Sequence, residues 1–268
     1  MIKIAIFGAG GRMGQAIIRC AKRLEADIKV VAAIEAEQCP LVGKDAGLVA
    51  GTMDIGVPIA ADARGGAEKA DVMVDFSFPS SSAAHALLAA ELKKPVVIGT
   101  TGLNSGEKES LKKASARTAV LWAPNMSFGV NIMDAAIGRI AKALADYDVE
   151  IIETHHAQKK DAPSGTALRL AETVAAARGV HLDKAAAYGR KGNIGARPPG
   201  QIGVHAVRAG DVVGDHTVIF ASEGERLELT HRASSRDCLA LGALRAAQWI
   251  AKRPPGLYDM RDVLGLRE

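Results

Sequence analysis

The sequence predicts an α/β protein in which a parallel sheet with helices on both faces is followed by an α+β region with an open mixed sheet. Three observations support this prediction. Apolar runs alternate with helical patterns over residues 1–126, a glycine-rich turn joins the first strand to the first helix, and Gly-Asp and Glu-Gly turns separate the later strands. Strand–helix alternation is typical of parallel sheets, whereas strands joined by short turns are typical of antiparallel ones.

The elements of the first half follow from local patterns. Apolar runs of strand length predict strands at residues 3–7, 28–34, 57–60, 72–76, 95–98 and 119–123. Helical spacing of apolar residues predicts helices at residues 12–24, 80–92 and 105–115. In a doubly wound sheet the loops that follow the strands share one edge, and ligands bind there.

The pattern changes after residue 126. The expected helices are residues 128–145, 166–178 and 236–252, and the expected strands are residues 149–153, 202–208, 216–221 and 226–231. The last three strands are expected to be antiparallel, and residues 182–200 are expected to be loop. Since the final helix could return to the first domain, we expect one domain of residues 1–126 and 237–268 and a second of residues 127–236.

Composition limits the possible functions. The net charge of +4 is not gathered into a Lys/Arg-rich block, so nucleic-acid binding is not expected. No stretch reaches the ~20 apolar residues of a membrane span, and the start of the chain lacks a signal-peptide pattern. Cys20, Cys39 and Cys238 show neither disulfide nor CxxC spacing, so we expect a cytoplasmic protein with free thiols.

The glycine-rich turn predicts a dinucleotide site. Gly8, Gly11 and Gly14 form a GxxGxxG pattern, because Met13 occupies the last slot of a strict GxGxxG. Glycines permit positive φ and let a pyrophosphate approach the backbone at a helix N-terminus. Glu35 ends the second strand, where a carboxylate would bind the 2′-hydroxyl of an adenosine ribose. A tight turn without a ligand is the alternative.

Glu35 also bears on the choice between NADH and NADPH. A carboxylate accepts a hydrogen bond from a free 2′-hydroxyl and repels a 2′-phosphate, although Arg12 could still reach a phosphate. We therefore expect NADH to be used at least as well as NADPH. Two later strand-ending loops are expected to complete the cofactor site through Gly99, Thr100, Thr101, Ala123, Pro124, Asn125 and Met126.

Residues 153–166 carry the groups best suited to catalysis. His155 and His156 can move protons near neutral pH, Lys159 can hold an anion, and a helix that starts near residue 165 offers unpaired N–H groups to a carboxylate. This combination predicts a small acidic substrate and a proton transfer. A metal site is not expected, because adjacent side chains of an extended chain point to opposite faces.

These motifs together resemble the 4-hydroxy-tetrahydrodipicolinate reductase (dihydrodipicolinate reductase) family. The resemblance covers essentially the whole chain and rests on GAGGRMG at 8–14, GTTG at 99–102, NMS at 125–127, ETHHAQKKDAPSGTA at 153–167 and VRAGDVVGDH at 207–216. It implies a Rossmann domain and a substrate-binding domain whose sheet builds a homotetramer. It also implies hydride transfer from NAD(P)H to a small cyclic dicarboxylate in lysine and diaminopimelate biosynthesis.

The resemblance further implies individual roles. His155 matches the acid/base and Lys159 the proton donor, while His156, Gly165 and Thr166 match substrate contacts. One substrate carboxylate is expected at the backbone N–H groups of Ser164, Gly165 and Thr166.

Some points stay open in the sequence. Ala36 and Phe78 stand where many members carry basic residues, which weakens the case for NADPH. The role of Arg208 is undecided. The alternatives are another Rossmann-type dehydrogenase of amino-acid metabolism and a non-enzymatic NAD-sensing protein. The remaining histidines are expected to be structural: His85, His181, His205, His216 and His231.

Overall fold

The computed structural model describes residues 1–267, which form two compact units. The first contains Met1–Phe128 and the chain from Arg236 onward, and the second contains Gly129–Ser235. The elements are, in chain order, β1 (Ile2–Phe7), α1 (Arg12–Arg23), β2 (Ile28–Ile34), α2 (Ala46–Val49), β3 (Ile59–Ala60), α3 (Ala63–Lys69), β4 (Val72–Asp75), α4 (Pro79–Leu92), β5 (Val96–Ile98), α5 (Ser105–Ser115), β6 (Ala119–Trp122), α6 (Phe128–Ala143), β7 (Asp148–His155), α7 (Gly165–Ala177), α8 (Leu182–Ala185), β8 (Ala186–Tyr188), β9 (Ile202–Arg208), β10 (Gly214–Ser222), β11 (Glu225–Ala233), α9 (Asp237–Ile250), β12 (Gly256–Tyr258) and α10 (Met260–Val263).

The first unit is built on a seven-stranded sheet of order β12-β6-β5-β4-β1-β2-β3, and its strands pair in parallel. Side chains of β1 alternate between two apolar clusters. Ile4 and Ile6 pack with α1 and α9, and Ala5 and Phe7 pack with α3, α4 and α5. Burial on both faces explains why these strands are continuous apolar runs. The predicted doubly wound α/β architecture is confirmed.

The strands of this sheet end level with one another. Phe7 pairs with Ile34 on one side and with Asp75 on the other, Asp75 pairs with Ile98, and Ile98 pairs with Trp122. The loops after β1, β2, β4, β5 and β6 therefore share one edge. Because β1 lies between β2 and β4, the strand order reverses there, which is where open α/β sheets bind their ligands.

The second unit contains a five-stranded mixed sheet of order β11-β10-β7-β9-β8. One face packs on α6 and α7 through an apolar cluster that includes Ile151, Leu170, Val174 and Phe220. The predicted mixed sheet is confirmed, but the expectation that β9, β10 and β11 are all antiparallel is wrong for β9. β10 is antiparallel to β7 and β11, whereas β9 pairs in parallel with β7 and β8.

Six short elements were not expected from the sequence: α2, α3, α8, β8, β12 and α10. Each is at most seven residues long, so apolar periodicity cannot develop within it. Helix α3 contains two glycines, and Asp62 caps it, because the Asp62 carboxylate accepts a hydrogen bond from the Gly65 amide. Across residues 1–267, no helix combines the length and the apolar character that a bilayer crossing requires.

Candidate active site

The glycine-rich turn occupies the carboxyl end of β1. Gly8 has a φ of +79°, and a Cβ there would lie 2.7 Å from the carbonyl oxygen of Phe76. A Cβ on Gly14 would collide with the carbonyl oxygen of Gly8. Gly11 is the N-cap of α1 and brings no side-chain cap. The turn therefore leaves backbone, not side chains, at the start of α1.

Glu35 lies beside this turn, as predicted from its place at the end of β2. Its Oε1 accepts a hydrogen bond of 2.8 Å from the Gly10 amide. Arg12 is exposed at the start of α1, and Met13 packs against the apolar cluster beneath. The structure thus brings the predicted residues of the first two strand ends together at the edge where the strand order reverses.

The loop after β5 is held by a buried network that sequence reasoning missed. Asp75 is fully buried, and its carboxylate accepts from the Ser77 amide at 2.8 Å and hydroxyl at 2.6 Å, and lies 2.7 Å from Nδ1 of His85. Ser82 also donates to Asp75, and its Oγ lies 2.7 Å from Oγ1 of Thr100. His85 therefore has a structural role, and the hydrogen bond to Ser82 fixes the Thr100 side chain.

The other predicted cofactor residues differ in what they expose. A Cβ on Gly99 would overlap the ring of Phe76, so glycine is required there. Thr101 and Pro124 are exposed, whereas Ala123 and Met126 are buried in the apolar cluster. The last two could therefore contact a cofactor only through their backbone. Asn125 accepts the Ser127 amide at 2.9 Å through its side-chain oxygen.

In the second unit, the alternation of β7 places Glu153 and His155 on the face covered by helices. Glu153 is fully buried, and its Oε2 lies 2.5 Å from Nδ1 of His155. Arg208, which pairs with His155 in the sheet register, donates twice to this carboxylate, at 2.9 Å each. The Ser164 amide donates to Glu153 Oε1 at 3.0 Å. Arg208, whose role the sequence left undecided, is thus the ion-pair partner of Glu153.

Two pKa values in this cluster depart from their ordinary range. Burial alone would raise the pKa of Glu153, but hydrogen bonds from Arg208, His155 and the Ser164 amide outweigh it, so the pKa is lowered. Burial lowers the pKa of His216 to about 4, and the neighbouring charge of His155 adds to the effect. At neutral pH, Glu153 is therefore ionised and His216 is uncharged.

His216 connects His155 to the start of α7. Its ring is T-shaped to that of His155, with centroids 5.2 Å apart, and its Nε2 lies 3.1 Å from Oγ of Ser164. Ser164 is only 3% exposed, and its Oγ also accepts the Ala167 amide as the N-cap of α7. The Ser164 side chain therefore acts as a cap. Because the Ser164 amide donates to Glu153, its N–H is not open to a substrate carboxylate as the sequence predicted.

The start of α7 is open at Gly165. Nothing lies within 4 Å of the position of a Cβ on Gly165, which is exposed, and Thr166 is half-buried. Because the first turn of a helix has N–H groups without intrahelical acceptors, this end can receive a carboxylate. His156 is half-buried next to His155 at the end of β7.

The Lys159 side chain forms an ion pair within its own loop. Its Nζ donates to Oδ1 of Asp161 at 2.9 Å, and this hydrogen bond lowers the pKa of the Asp161 carboxyl. The Asp161 carbonyl accepts from Arg208 at 2.6 Å, so Asp161 ties the loop to β9. Among the described residues, no group of three or more His, Cys, Asp or Glu side chains is arranged to hold a metal ion.

Sequence reasoning did not place three members of this cluster at the candidate site: Glu153, Arg208 and His216. Glu153 could have been found, because it lies two residues before His155 on the same strand face. Arg208 and His216 lie on β9 and β10, and only the pairing of those strands with β7 brings them to His155.

Comparison with known proteins decides the family. The family model described as dihydrodipicolinate reductase, N-terminus, matches residues 2–126, and the model described as dihydrodipicolinate reductase, C-terminus, matches residues 129–264. The chain belongs to the dihydrodipicolinate reductase family. Members of this family are NAD(P)H-dependent oxidoreductases, so the chain is an enzyme that uses a nicotinamide cofactor. The predicted resemblance is confirmed.

Similar proteins extend over the full length of the chain. A 4-hydroxy-tetrahydrodipicolinate reductase of Halorhodospira halophila is 48% identical over 98% of both chains, and one of Syntrophus aciditrophicus is 47% identical over all of both. The solved structure of a dipicolinate-bound dihydrodipicolinate reductase from Paenisporosarcina sp. TG-14 matches with a TM-score of 0.77 and 25% identity over 97% of each chain. These likenesses do not favour the two alternative functions.

Proposed function

We propose that the chain reduces 4-hydroxy-tetrahydrodipicolinate to tetrahydrodipicolinate, with loss of water, in lysine and diaminopimelate biosynthesis. The observation that supports this most directly is the buried Glu153–His155 pair next to an exposed helix start at Gly165. Such a pair can donate a proton, and such a helix start can hold a carboxylate, so together they suit a cyclic dicarboxylate that gains a hydride.

The dinucleotide-binding part is proposed to be residues 1–126 and 237–268. Gly8, Gly11, Arg12, Met13 and Gly14 would hold the pyrophosphate at the start of α1, and Glu35 would accept from the adenosine ribose. The fit is supported by the collisions that side chains at Gly8 and Gly14 would cause. A bound nicotinamide supplies hydride from its C4. Its ring and carboxamide would be placed by Gly99, Thr100, Thr101, Ala123, Pro124, Asn125 and Met126.

The substrate-binding part is proposed to be residues 127–236. One carboxylate would accept from the backbone amides at Gly165 and Thr166, and His156 would contact the ring or its second carboxylate. Proton transfer is assigned to His155 through Nε2, because Glu153 occupies Nδ1. A Cβ on Gly214 would lie 3.0 Å from that Nε2, so glycine keeps the atom uncrowded.

Lys159 is proposed as the second proton donor. Its pairing with Asp161 at 2.9 Å limits the positions that the ammonium group can sample while the substrate is absent. Hydride addition to a conjugated ring leaves negative charge, and a nearby cation or acid stabilises that charge as it forms. A dianionic substrate can compete with the Asp161 carboxylate for this ammonium group.

NADH is proposed to serve at least as well as NADPH. The Glu35 carboxylate is fixed against the turn by the Gly10 amide, and it would repel a 2′-phosphate. Ala36 follows it and brings no positive charge. A strong preference for NADPH in steady-state kinetics with both cofactors would contradict this proposal.

A cytoplasmic homotetramer is proposed as the working form. The face of the mixed sheet opposite α6 and α7 carries Ile152, Thr217 and Ile219 in register on neighbouring strands, and Val207 at the same face is 42% exposed. Apolar and β-branched residues on an open sheet face suit burial against another copy of the chain. Sedimentation analysis of the purified protein would reveal a monomer if this proposal is wrong.

The reaction can be tested directly. Purified protein is mixed with NADH or NADPH and freshly generated 4-hydroxy-tetrahydrodipicolinate, and the loss of reduced-nicotinamide absorbance is followed. We expect oxidation of the cofactor that depends on both protein and cyclic substrate. Parallel reactions with a semialdehyde and with amino acids test the other dehydrogenases. Absence of turnover with the cyclic substrate and either cofactor would refute the proposal.

A further inference from the structure

We propose that Glu153 is a positioning residue for the reduction, because its carboxylate fixes the ring of His155 and the start of α7 at the same time. The inference rests on the proposed function, which assigns proton transfer to His155. Glu153 does not itself touch the proposed substrate, since it is fully buried beneath the loop.

Each carboxylate oxygen of Glu153 has two donors. Oε2 faces Nδ1 of His155 at 2.5 Å and Nη1 of Arg208 at 2.9 Å. Oε1 accepts from the Ser164 amide at 3.0 Å and from Nη2 of Arg208 at 2.9 Å. An ionised carboxylate only accepts hydrogen bonds, so the proton of a neutral His155 must lie on Nδ1. Nε2 is then the atom that exchanges protons with a substrate.

A neutral amide could not replace this carboxylate. Glutamine has one accepting oxygen and one donating nitrogen, whereas both oxygens of Glu153 face donors. With the amide oxygen toward Ser164, the amide nitrogen would face His155 and move the ring proton to Nε2. With the oxygen toward His155, the amide nitrogen would face the Ser164 amide and weaken the start of α7. We expect the first arrangement, because the Ser164 amide can only donate a hydrogen bond, whereas Nδ1 of His155 can become an acceptor when the ring proton moves to Nε2.

Arg208 has a separate role in this arrangement. Its terminal nitrogens are directed to Glu153 and to the carbonyl oxygens of Val207 and Asp161. It is therefore the charge that permits a fully buried carboxylate, not the group that aligns His155. Removing Arg208 and removing Glu153 should consequently have different effects, although the two residues form one ion pair.

Three variants separate positioning from stability: Glu153→Gln, Arg208→Gln and the double variant. In Glu153→Gln we expect kcat to fall about 100-fold, with the KM for NADH unchanged, because the ring loses its working tautomer. In Arg208→Gln we expect a lower melting temperature but a loss of kcat smaller than about 10-fold, since the carboxylate still faces Nδ1. The double variant should regain melting temperature, because no buried charge is left unpaired, but not kcat.

A measurement without substrate completes the test. Proteins labelled with ¹⁵N-histidine, assigned through a His155→Gln variant, are compared by long-range ¹H–¹⁵N spectra at a pH where the ring is neutral. We expect the Nδ1-protonated tautomer of His155 in the wild-type protein and in Arg208→Gln, and its loss in Glu153→Gln.

Three results would overturn the proposal: full kcat in Glu153→Gln, recovery of kcat in the double variant, or an unchanged His155 tautomer in Glu153→Gln. Because the spectra need no turnover, they judge the positioning role even if the cyclic substrate is not reduced. Failure of the wild-type protein to reduce that substrate would instead count against the proposed function.

Discussion

The two candidate sites of this chain are built from opposite materials. At the carboxyl edge of the parallel sheet, the turn over residues 8–14 is built on glycines, and its fixed features are backbone geometry and the close approach of backbone atoms. At the ends of β7 and β9, the second candidate site is built from paired charged and titratable side chains, with Glu153, His155 and Arg208 at its centre.

This difference teaches which substitutions each site can tolerate. A backbone site is damaged by added volume and is largely indifferent to pH. A side-chain site is damaged by the loss of one partner, since the others are then left as buried groups without compensation. The contrast can be tested by changes that should harm one site and leave the other intact.

The largest expected effect is on turnover in the second unit. His155→Gln or Lys159→Ala should lower kcat by about 10²–10⁴-fold, because each removes a group that is proposed to donate a proton. NADH affinity, measured by fluorescence titration, should be nearly unchanged, since the glycine-rich turn is untouched. Lys184→Ala removes an exposed lysine on α8 instead; it is the control and should retain activity. Full activity of either variant would remove that residue from the catalytic set.

A side chain added to the glycine-rich turn should instead weaken the binding of NADH. Gly14→Ala places a Cβ against the carbonyl oxygens of Gly8 and Ala9, so we expect NADH binding to weaken at least about 10-fold and the free energy of unfolding to fall by about 1–3 kcal/mol. Gly165→Ala is the matched change in open space, and it should leave the free energy of unfolding unchanged or slightly raised. Equal NADH binding by both variants would contradict the backbone role of the turn.

The side-chain site should also respond to acid. His216 has a pKa lowered to about 4 from an ordinary value of 6.5, mainly by burial, while Glu153 opposes and His155, His231 and Lys159 reinforce the shift. Between pH 6.5 and 4, the unfolded chain binds a proton at His216 that the folded protein does not bind. The resulting contribution to the free energy of unfolding is therefore complete above pH 6.5 and is lost as the pH falls toward 4.

Urea unfolding at a series of pH values measures this effect. The contribution is at most about 3 kcal/mol, and His216→Gln should flatten the loss of stability between pH 6.5 and 4. His181→Gln changes an exposed histidine and should leave the slope as in the wild-type protein. An identical slope in His216→Gln would show that this histidine is not the group responsible.

The smallest expected effect concerns cofactor choice. Ala36→Arg adds a charge next to Glu35, where it can meet a 2′-phosphate, so the KM for NADPH should fall about 10-fold while that for NADH changes little. Ala36→Gln adds similar length without charge and should leave both values near those of the wild-type protein. An equal KM for NADPH in the two variants would mean that the residue after Glu35 does not contact the 2′ group of the cofactor.

The sequence alone determined the features that depend on neighbouring residues. Strands and helices of the first unit follow from apolar runs and spacing, and the glycines at 8, 11 and 14 mark a turn between them. The groups at 153–166 are close in space because they are close in the chain. For the same reason Glu153 and His155, two residues apart on one strand, could have been paired from the sequence.

Tertiary structure decided the features that depend on strand pairing. The period-2 pattern of β9 does not say which strand it joins, so its parallel place beside β7 was not predicted, and neither was the pairing of Arg208 with Glu153. The buried network of Asp75, Ser82 and Thr100 likewise joins the end of β4, helix α4 and the loop after β5. Hydrogen bonds between distant segments leave no local pattern, because partners are chosen only when the sheet closes around its core.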